Sequence, residues 1–248
     1  MRIVSLCPSL TELVARLGRG ADLVGATTYC VAPAAVVEHV PKVGGTKNPD
    51  VARIAALAPD LVLLNREENR REDAEALLAH GLRLHTSLPR DVEGARNLVL
   101  ELGALLERRD AAHDLVAEID AAVARADAAR SAASTTFVCL VWRKPWMAVD
   151  RGTYLSRLVE SSGGLNLVAA AEGTYPPITA RELAELAPQR VLLPDEPFPF
   201  AAKHVAELAA VTGLDPSVFR LVDGAALTWH GARTAHGIDV ARAALWGS

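Results

Sequence analysis

DVEGARNLVLELGALLERRDAAHDLVAEIDAAVARADAAR, residues 91–130, is the stretch on which the reading of this chain turns. Apolar side chains recur at Val92, Ala95, Leu98, Val99, Leu102 and Leu106, and resume at Leu115, Val116, Ile119 and Val123. That spacing is the ~3.6-residue period of a helix with one apolar face, with Glu, Arg and Asp on the other. No proline interrupts it, although Gly94 and Gly103 weaken it and Arg109-Asp110 marks a candidate kink. An average globular helix is about 11–12 residues, so a pattern of this length calls for a structural role. A coiled coil is one reading, but the stripe is alanine-rich and lacks a clean heptad of large residues. The other is a rigid bridge between two lobes, which the flanking sequence tests.

Before the bridge, strand and helix patterns alternate. Arg2–Leu6 reads as a strand, and Pro8-Ser9-Leu10-Thr11-Glu12 opens a helix with Ser9 and Glu12 spaced as a capping box. Leu23–Thr27 is a second strand, and Asn48-Pro49 starts a helix that closes before Pro59. Leu61–Leu64 is a buried strand by its unbroken apolar run. A helix over Glu72–Ala79, ended by Gly81, then leads to a strand at Leu82–Thr86. After the bridge the alternation restarts with Phe137–Trp142 as strand and Thr153–Ser162 as helix. Thr179 caps the next helix with Glu182 three residues on, and His204–Thr212, Val218–Val222 and Gly231–Leu245 follow as helix, strand and helix.

The two halves also match residue by residue. Ile54-Ala55-Ala56-Leu57-Ala58-Pro59-Asp60-Leu61-Val62-Leu63-Leu64 aligns with Leu183-Ala184-Glu185-Leu186-Ala187-Pro188-Gln189-Arg190-Val191-Leu192-Leu193 at a constant offset of 129. A shared helix, proline break and strand within matching element orders indicates duplicated α/β lobes. The fold class is therefore α/β: two similar lobes with mainly parallel sheets flanked by helices, joined by one long backbone helix. The expected division is 1–90, the bridge 91–130, and 131–248. In such sheets a ligand belongs in the crevice at the carboxyl ends of the strands, here between the lobes.

Composition narrows the function. The 248-residue chain is half apolar with a net charge of -4, and no Lys/Arg run suggests nucleic acid. No apolar run approaches the ~18 residues of a membrane span. Met1–Cys7 reads as a strand from its start. The chain is thus expected in the cytoplasm if Met1 is the native start, and outside it if a targeting segment is missing. Cys7, Cys30 and Cys139 form no disulfide framework or close-spaced metal pair. A monomer is expected.

The strand-to-helix junctions hold the candidate site. In the first half they contribute Ser9, Tyr29, Cys30, Asn65 and Arg66; in the second, Trp142, Trp146, Tyr175, Phe198, Trp229, His230 and Arg233. Three of four tryptophans lie at these junctions, and stiff aromatic walls suit a large planar ligand, with core filling the alternative. Tyr29, Cys30, His39, His230 and His236 have the chemistry of metal ligands but no prebuilt spacing, and no metal site is assigned. Ser9 with His230, or Cys30 with His39, can be written as nucleophile pairs, yet no third orienting group is legible. No catalytic residue and no intrinsic cofactor is assigned, and the expectation is a binding protein rather than an enzyme.

Arg2–Leu13, Leu23-Val24-Gly25, Val43-Gly44-Gly45, Leu57–Val62, Leu155–Gly164, Ile178–Leu193 and Trp229–Arg233 together resemble the helical-backbone substrate-binding proteins of ABC importers. That family carries cobalamin, haem, iron-siderophores or metal ions, and the likeness is greatest to its cobalamin-binding branch. The resemblance implies two lobes that move little about a rigid helix, with a cobalamin-like corrinoid between them. Haem or a ferric siderophore is the alternative ligand, and a cytoplasmic corrinoid-handling protein or metal-dependent enzyme the alternative role. It implies an aromatic-lined cleft near Tyr29, Tyr175, Trp229 and Trp142 or Trp146. It also implies an ABC permease as partner, docked by one glutamate per lobe. Arg71 and Arg181 stand at those positions, with Glu72 and Glu182 immediately after them as the candidate docking pair.

Overall fold

The duplication is visible in the backbone. The structure is a computed structural model, described here over residues 1–129, 134–170 and 173–247. Its first elements are β1 (Ile3–Ser5), α1 (Pro8–Arg16), β2 (Leu23–Ala26), α2 (Ala34–Val37), α3 (Val51–Ala56), β3 (Leu61–Asn65), α4 (Arg71–Ala79) and β4 (Leu84–Ser87). Helices α5 (Val92–Leu105) and α6 (Arg109–Ala128) follow. Then come β5 (Thr135–Trp142), β6 (Met147–Ala148), α7 (Tyr154–Ser161), β7 (Gly164–Asn166), α8 (Ala180–Leu186) and β8 (Arg190–Pro194). The chain ends with α9 (Ala202–Thr212), β9 (Phe219–Val222), α10 (Gly224–Thr228) and α11 (Thr234–Trp246).

The first sheet has the order β2-β1-β3-β4, parallel throughout. In the second, β7, β5, β8 and β9 repeat that parallel order, and β6 pairs antiparallel with the end of β5. Five buried residues in a row along β3, and four in β8, are what a sheet covered on both faces requires. The 129-residue offset carries into the packing: Ile54, Val62 and Leu64 lie in one core cluster and Leu183, Val191 and Leu193 in the other. It extends to the backbone between helix and strand. Ala58 and Ala187 both take left-handed conformations, φ 44° and 45°, each donating its N–H three residues back, to Ala55 and Ala184. A non-glycine residue there is strained, and both copies hold it just before the matched proline.

Contacts divide the chain into two units. The first comprises Met1–Pro89, Glu93–Ala117 and Trp229–Ala232; the second comprises Arg90–Val92, Glu118–Thr228 and the residues from Arg233 on. One of the boundaries between them falls inside α6, after Ala117. The helix expected over 91–130 forms as two helices in series, Val92–Leu105 and Arg109–Ala128, rather than as one rod. At the break the Arg108 N–H donates to the Gly103 carbonyl at 2.7 Å, the Glu107 N–H donates to that of Ala104, and Glu107 sits at φ 57°. This is a helix-closing motif with glutamate in the position glycine usually takes. Gly103 permits the turn, because a Cβ there would lie 2.2 Å from that of Ala112. The expected bridge end at 130 and lobe start at 131 lie outside the described residues.

Two helix starts differ from the sequence reading. Cys7, not Ser9, precedes α1, and Pro8 occupies the first turn, so Ser9 is inside the helix and the Ser9/Glu12 capping box does not form. Asp50 caps α3 in place of Asn48, accepting from the Arg53 N–H at 2.9 Å. The Thr179/Glu182 capping box is present as read. No helix among the described residues is long and apolar enough to cross a membrane.

Candidate functional site

In the first unit the loops at the carboxyl ends of the strands are tied together by buried polar groups. Asn69 does most of this: its Nδ2 donates to the carbonyls of Leu6 and Thr46, both at 3.0 Å, and its Oδ1 accepts from the Asn65 N–H at 2.8 Å. Asn65 is itself buried, its Oδ1 accepting from the Glu67 N–H at 2.9 Å, so it shapes the loop instead of standing on its face. Cys30 is fully buried, its thiol 3.0 Å from the Thr11 hydroxyl and 3.1 Å from that of Thr27. Exposed His39 lies beside Glu38, so the Cys30/His39 pair does not form.

Ser9 and His230 do come together. The Ser9 Oγ is 3.2 Å from the Cys7 thiol and 3.4 Å from His230 Nε2, and all three residues are buried. Burial, reinforced by the Glu68 charge, pushes the Cys7 thiol up to about 12, so it stays protonated and un-nucleophilic at neutral pH. Trp229 and His230 join this unit although they follow the second sheet in sequence. Gly231 makes that return possible: its φ is 82°, and a Cβ would sit 3.0 Å from Leu13. Trp229 is buried, and the candidates on the exposed side of this unit are Tyr29, 62% exposed, and Arg66. Tyr29 lies over Gly45, where a Cβ would be 3.3 Å from its ring.

The second unit has a different surface at its strand ends. Trp142 at the end of β5 meets Phe198 edge-on, ring centres 5.9 Å apart; Phe198 meets Phe200 at 4.8 Å, and Trp146 stacks on Phe200 at 6.2 Å. Such offset and edge-to-face pairs are the favoured aromatic geometries. Trp142 is 43% exposed, whereas Phe200 is buried in the core. Arg143 places its guanidinium 5.7 Å from the Trp146 ring centre and grips Glu207 of α9 through both carboxylate oxygens, at 2.7 to 3.2 Å. That hydrogen bonding holds the Glu207 carboxyl below its ordinary range. His204, in the first turn of α9, sets its ring 5.1 Å from Phe198 and 5.7 Å from Phe200. Its Nδ1 accepts from the Ala201 N–H at 3.0 Å.

Tyr175 lies on a segment that runs beside β6: the Ala148 N–H donates to the Pro176 carbonyl, and the Ile178 N–H to that of Trp146. Tyr175 is 36% exposed. Arg233 is half-buried where α11 begins, and His236 is exposed. Among the described residues no group of three or more His, Cys, Asp and Glu is arranged to hold a metal. Glu72 is exposed in the first turn of α4. The Glu182 carboxylate is taken up by its own helix, accepting from the Thr179 N–H and hydroxyl at 2.7 Å. Glu72 and Glu182 also occupy non-equivalent elements, since α8 repeats α3 rather than α4.

The sequence reading placed Trp142, Trp146 and Phe198 at these junctions and gave His204 only as the start of a helix, without a part in the site. The missed signal is spacing: His204 stands three residues after the last residue before α9, where a side chain caps the helix.

The chain belongs to the periplasmic binding protein family, whose model matches residues 3–207. It is a ligand-binding protein of that type, and the family's members are substrate-binding transport proteins that work with ABC permeases. It is 29% identical over 196 residues to the vitamin B12-binding protein of Yersinia pestis (strain Pestoides F), covering 77% of this chain and 69% of that one. It is similar in fold to the periplasmic vitamin B12 binding protein BtuF of Vibrio cholerae (TM-score 0.83, 21% identity, 98% of this chain and 96% of that). A periplasmic heme binding protein from Pseudomonas aeruginosa is similar too (TM-score 0.83, 23% identity, 100% and 93%).

Proposed function

We propose that this protein binds a cobalamin-type corrinoid and hands it to an ABC permease, in a compartment outside the cytoplasm. The observation that carries the reading is the aromatic array of the second unit, where Trp142, Phe198 and Trp146 stand at the carboxyl ends of parallel strands. A corrin ring is broad and largely apolar at its edges, and rigid aromatic side chains cover such a surface at low entropic cost. Tyr29, partly exposed Tyr175 and Trp229 are the further walls in this reading. The Yersinia relative's name favours the corrinoid. The heme-binding neighbour keeps haem as the second reading, and the cationic side chains of Arg66 and Arg233 keep a ferric siderophore as a third.

Permease docking through Glu72 and Glu182 belongs to the same proposal. Calorimetric titration with cyanocobalamin, haem and a ferric siderophore tests the ligand. Cyanocobalamin is expected to bind at least about tenfold more tightly than the others, a difference of about 1.4 kcal/mol. Tighter binding of haem or siderophore overturns the corrinoid assignment, and no binding of any of the three overturns the tetrapyrrole and siderophore readings together.

A further inference from the structure

We propose that neutral His204 is a positioning residue for the aromatic array: by accepting the Ala201 N–H it seats Phe198 and Phe200 against the two tryptophans. The geometry is a chain of contacts. The imidazole fixes the backbone just after Phe200 through the 3.0 Å hydrogen bond to Ala201. Its ring faces Phe198 at 5.1 Å and Phe200 at 5.7 Å, edge-on to each. Phe198 in turn contacts Trp142, and Phe200 contacts Trp146. His204 therefore touches both rings that support the two tryptophans without being exposed itself.

The hydrogen bond exists only while Nδ1 is unprotonated, because a protonated imidazole has two donors and no acceptor. Protonation would set an N–H against the Ala201 N–H and place a charge beside two phenyl rings. The charged groups bearing on His204 are Lys203 of its own helix, Arg143 of the β5–β6 connection and Glu207 one turn along α9, with Lys144 beside Glu207. Burial foremost, then Lys203 and Arg143, hold the imidazole below its ordinary value of 6.5, while Glu207 acts in the opposite sense. The neutral form is thus the folded form. Its contribution is complete above the ordinary histidine range and is lost as pH falls from there through the lowered value.

The experiment follows the indole N–H resonances of Trp142 and Trp146, assigned by single Phe substitutions, from about pH 7.5 to about pH 5.0. Both resonances are expected to move with a shared midpoint below the ordinary histidine value. In His204→Asn, whose side-chain oxygen accepts the same N–H without titrating, they should keep their neutral-pH positions and lose that midpoint. In His204→Phe, which fills the space without an acceptor, they should be displaced at every pH. Indole resonances that ignore pH in the unsubstituted protein, or that titrate equally in His204→Asn, overturn the proposal.

A parallel cyanocobalamin titration rests on the corrinoid reading. There, acid should weaken binding by about two- to tenfold in the unsubstituted protein and leave His204→Asn unaffected, the worth of one hydrogen bond. The expected resonance behaviour without any cyanocobalamin binding would leave the positioning role standing and remove the ligand assignment.

Discussion

The fourth residue past the third parallel strand is Asn69 in the first unit and Phe198 in the second, and the two do opposite work. Asn69 turns inward and ties Leu6, Thr46 and Asn65 into one polar knot. Phe198 turns toward other rings, touching Trp142, Phe200 and His204. A second contrast lies one strand over. Register matches Ile3 with Phe137, because Ile3 pairs with Leu61 and Phe137 with Arg190 at the repeat offset. In the first unit the strand stops at Ser5 and Pro8, which has no N–H to pair, begins a helix. In the second, β5 runs on to Trp142 and folds into a hairpin with β6. The same topology thus carries a polar, helix-started rim in one copy and an aromatic rim in the other. Duplication conserves what the core needs and leaves the strand ends free to diverge.

The largest test of this contrast is Asn69→Ala. It strips partners from two buried carbonyls and one N–H and should lower stability by about 2–4 kcal/mol in urea unfolding. A loss under about 0.5 kcal/mol would mean that the knot does not hold the first rim. Next is Trp142→Ala combined with Trp146→Ala. Cyanocobalamin affinity should fall at least about tenfold with far-UV circular dichroism unchanged; unchanged affinity returns both rings to a packing role. Tyr175→Ala with Trp229→Ala carries the same expectation for the remaining walls, also about tenfold.

Smaller still is the Arg143–Glu207 pair. The Glu207 carboxyl is held below its ordinary 4.5, so the pair's contribution is present above that value and lost as pH falls through the lowered one. The melting-temperature gap between the unsubstituted protein and Glu207→Gln should therefore close on acidification, and a gap constant with pH would break the assignment. Last, Ala58→Gly and Ala187→Gly relieve matched left-handed alanines. Each should stabilise by a few tenths to about 1 kcal/mol, by similar amounts in the two units. Unequal effects would show that the copies have diverged even at this turn.

Much of the frame was readable without coordinates. The apolar runs Leu61–Leu64 and Val191–Leu193, the proline after each matched helix, and the Thr179/Glu182 box all appear in the structure where the residues put them. The break at Glu107 falls just before the candidate kink at Arg109-Asp110, but its cause was not readable. It depends on a left-handed glutamate closing α5 and on Gly103 admitting Ala112, neither of which periodicity reports. The Ser9 cap failed because Pro8 claims the first turn of the helix and leaves Ser9 facing Cys7 and His230.

Local pattern was enough to establish two α/β copies and the helical run between them, because hydrophobic period and proline position act over a few neighbouring residues. Which junction residues turn inward, as Cys30, Asn65 and Ser9 do, and which form a ring array, as Trp142, Trp146 and Phe198 do, required the folded chain. Those orientations are settled by partners remote in sequence: Asn69 bonds a carbonyl 63 residues away, and Arg143 a carboxylate 64 residues away. A buried polar group goes where its hydrogen bonds can be met, and that place exists only once the strands have been brought side by side.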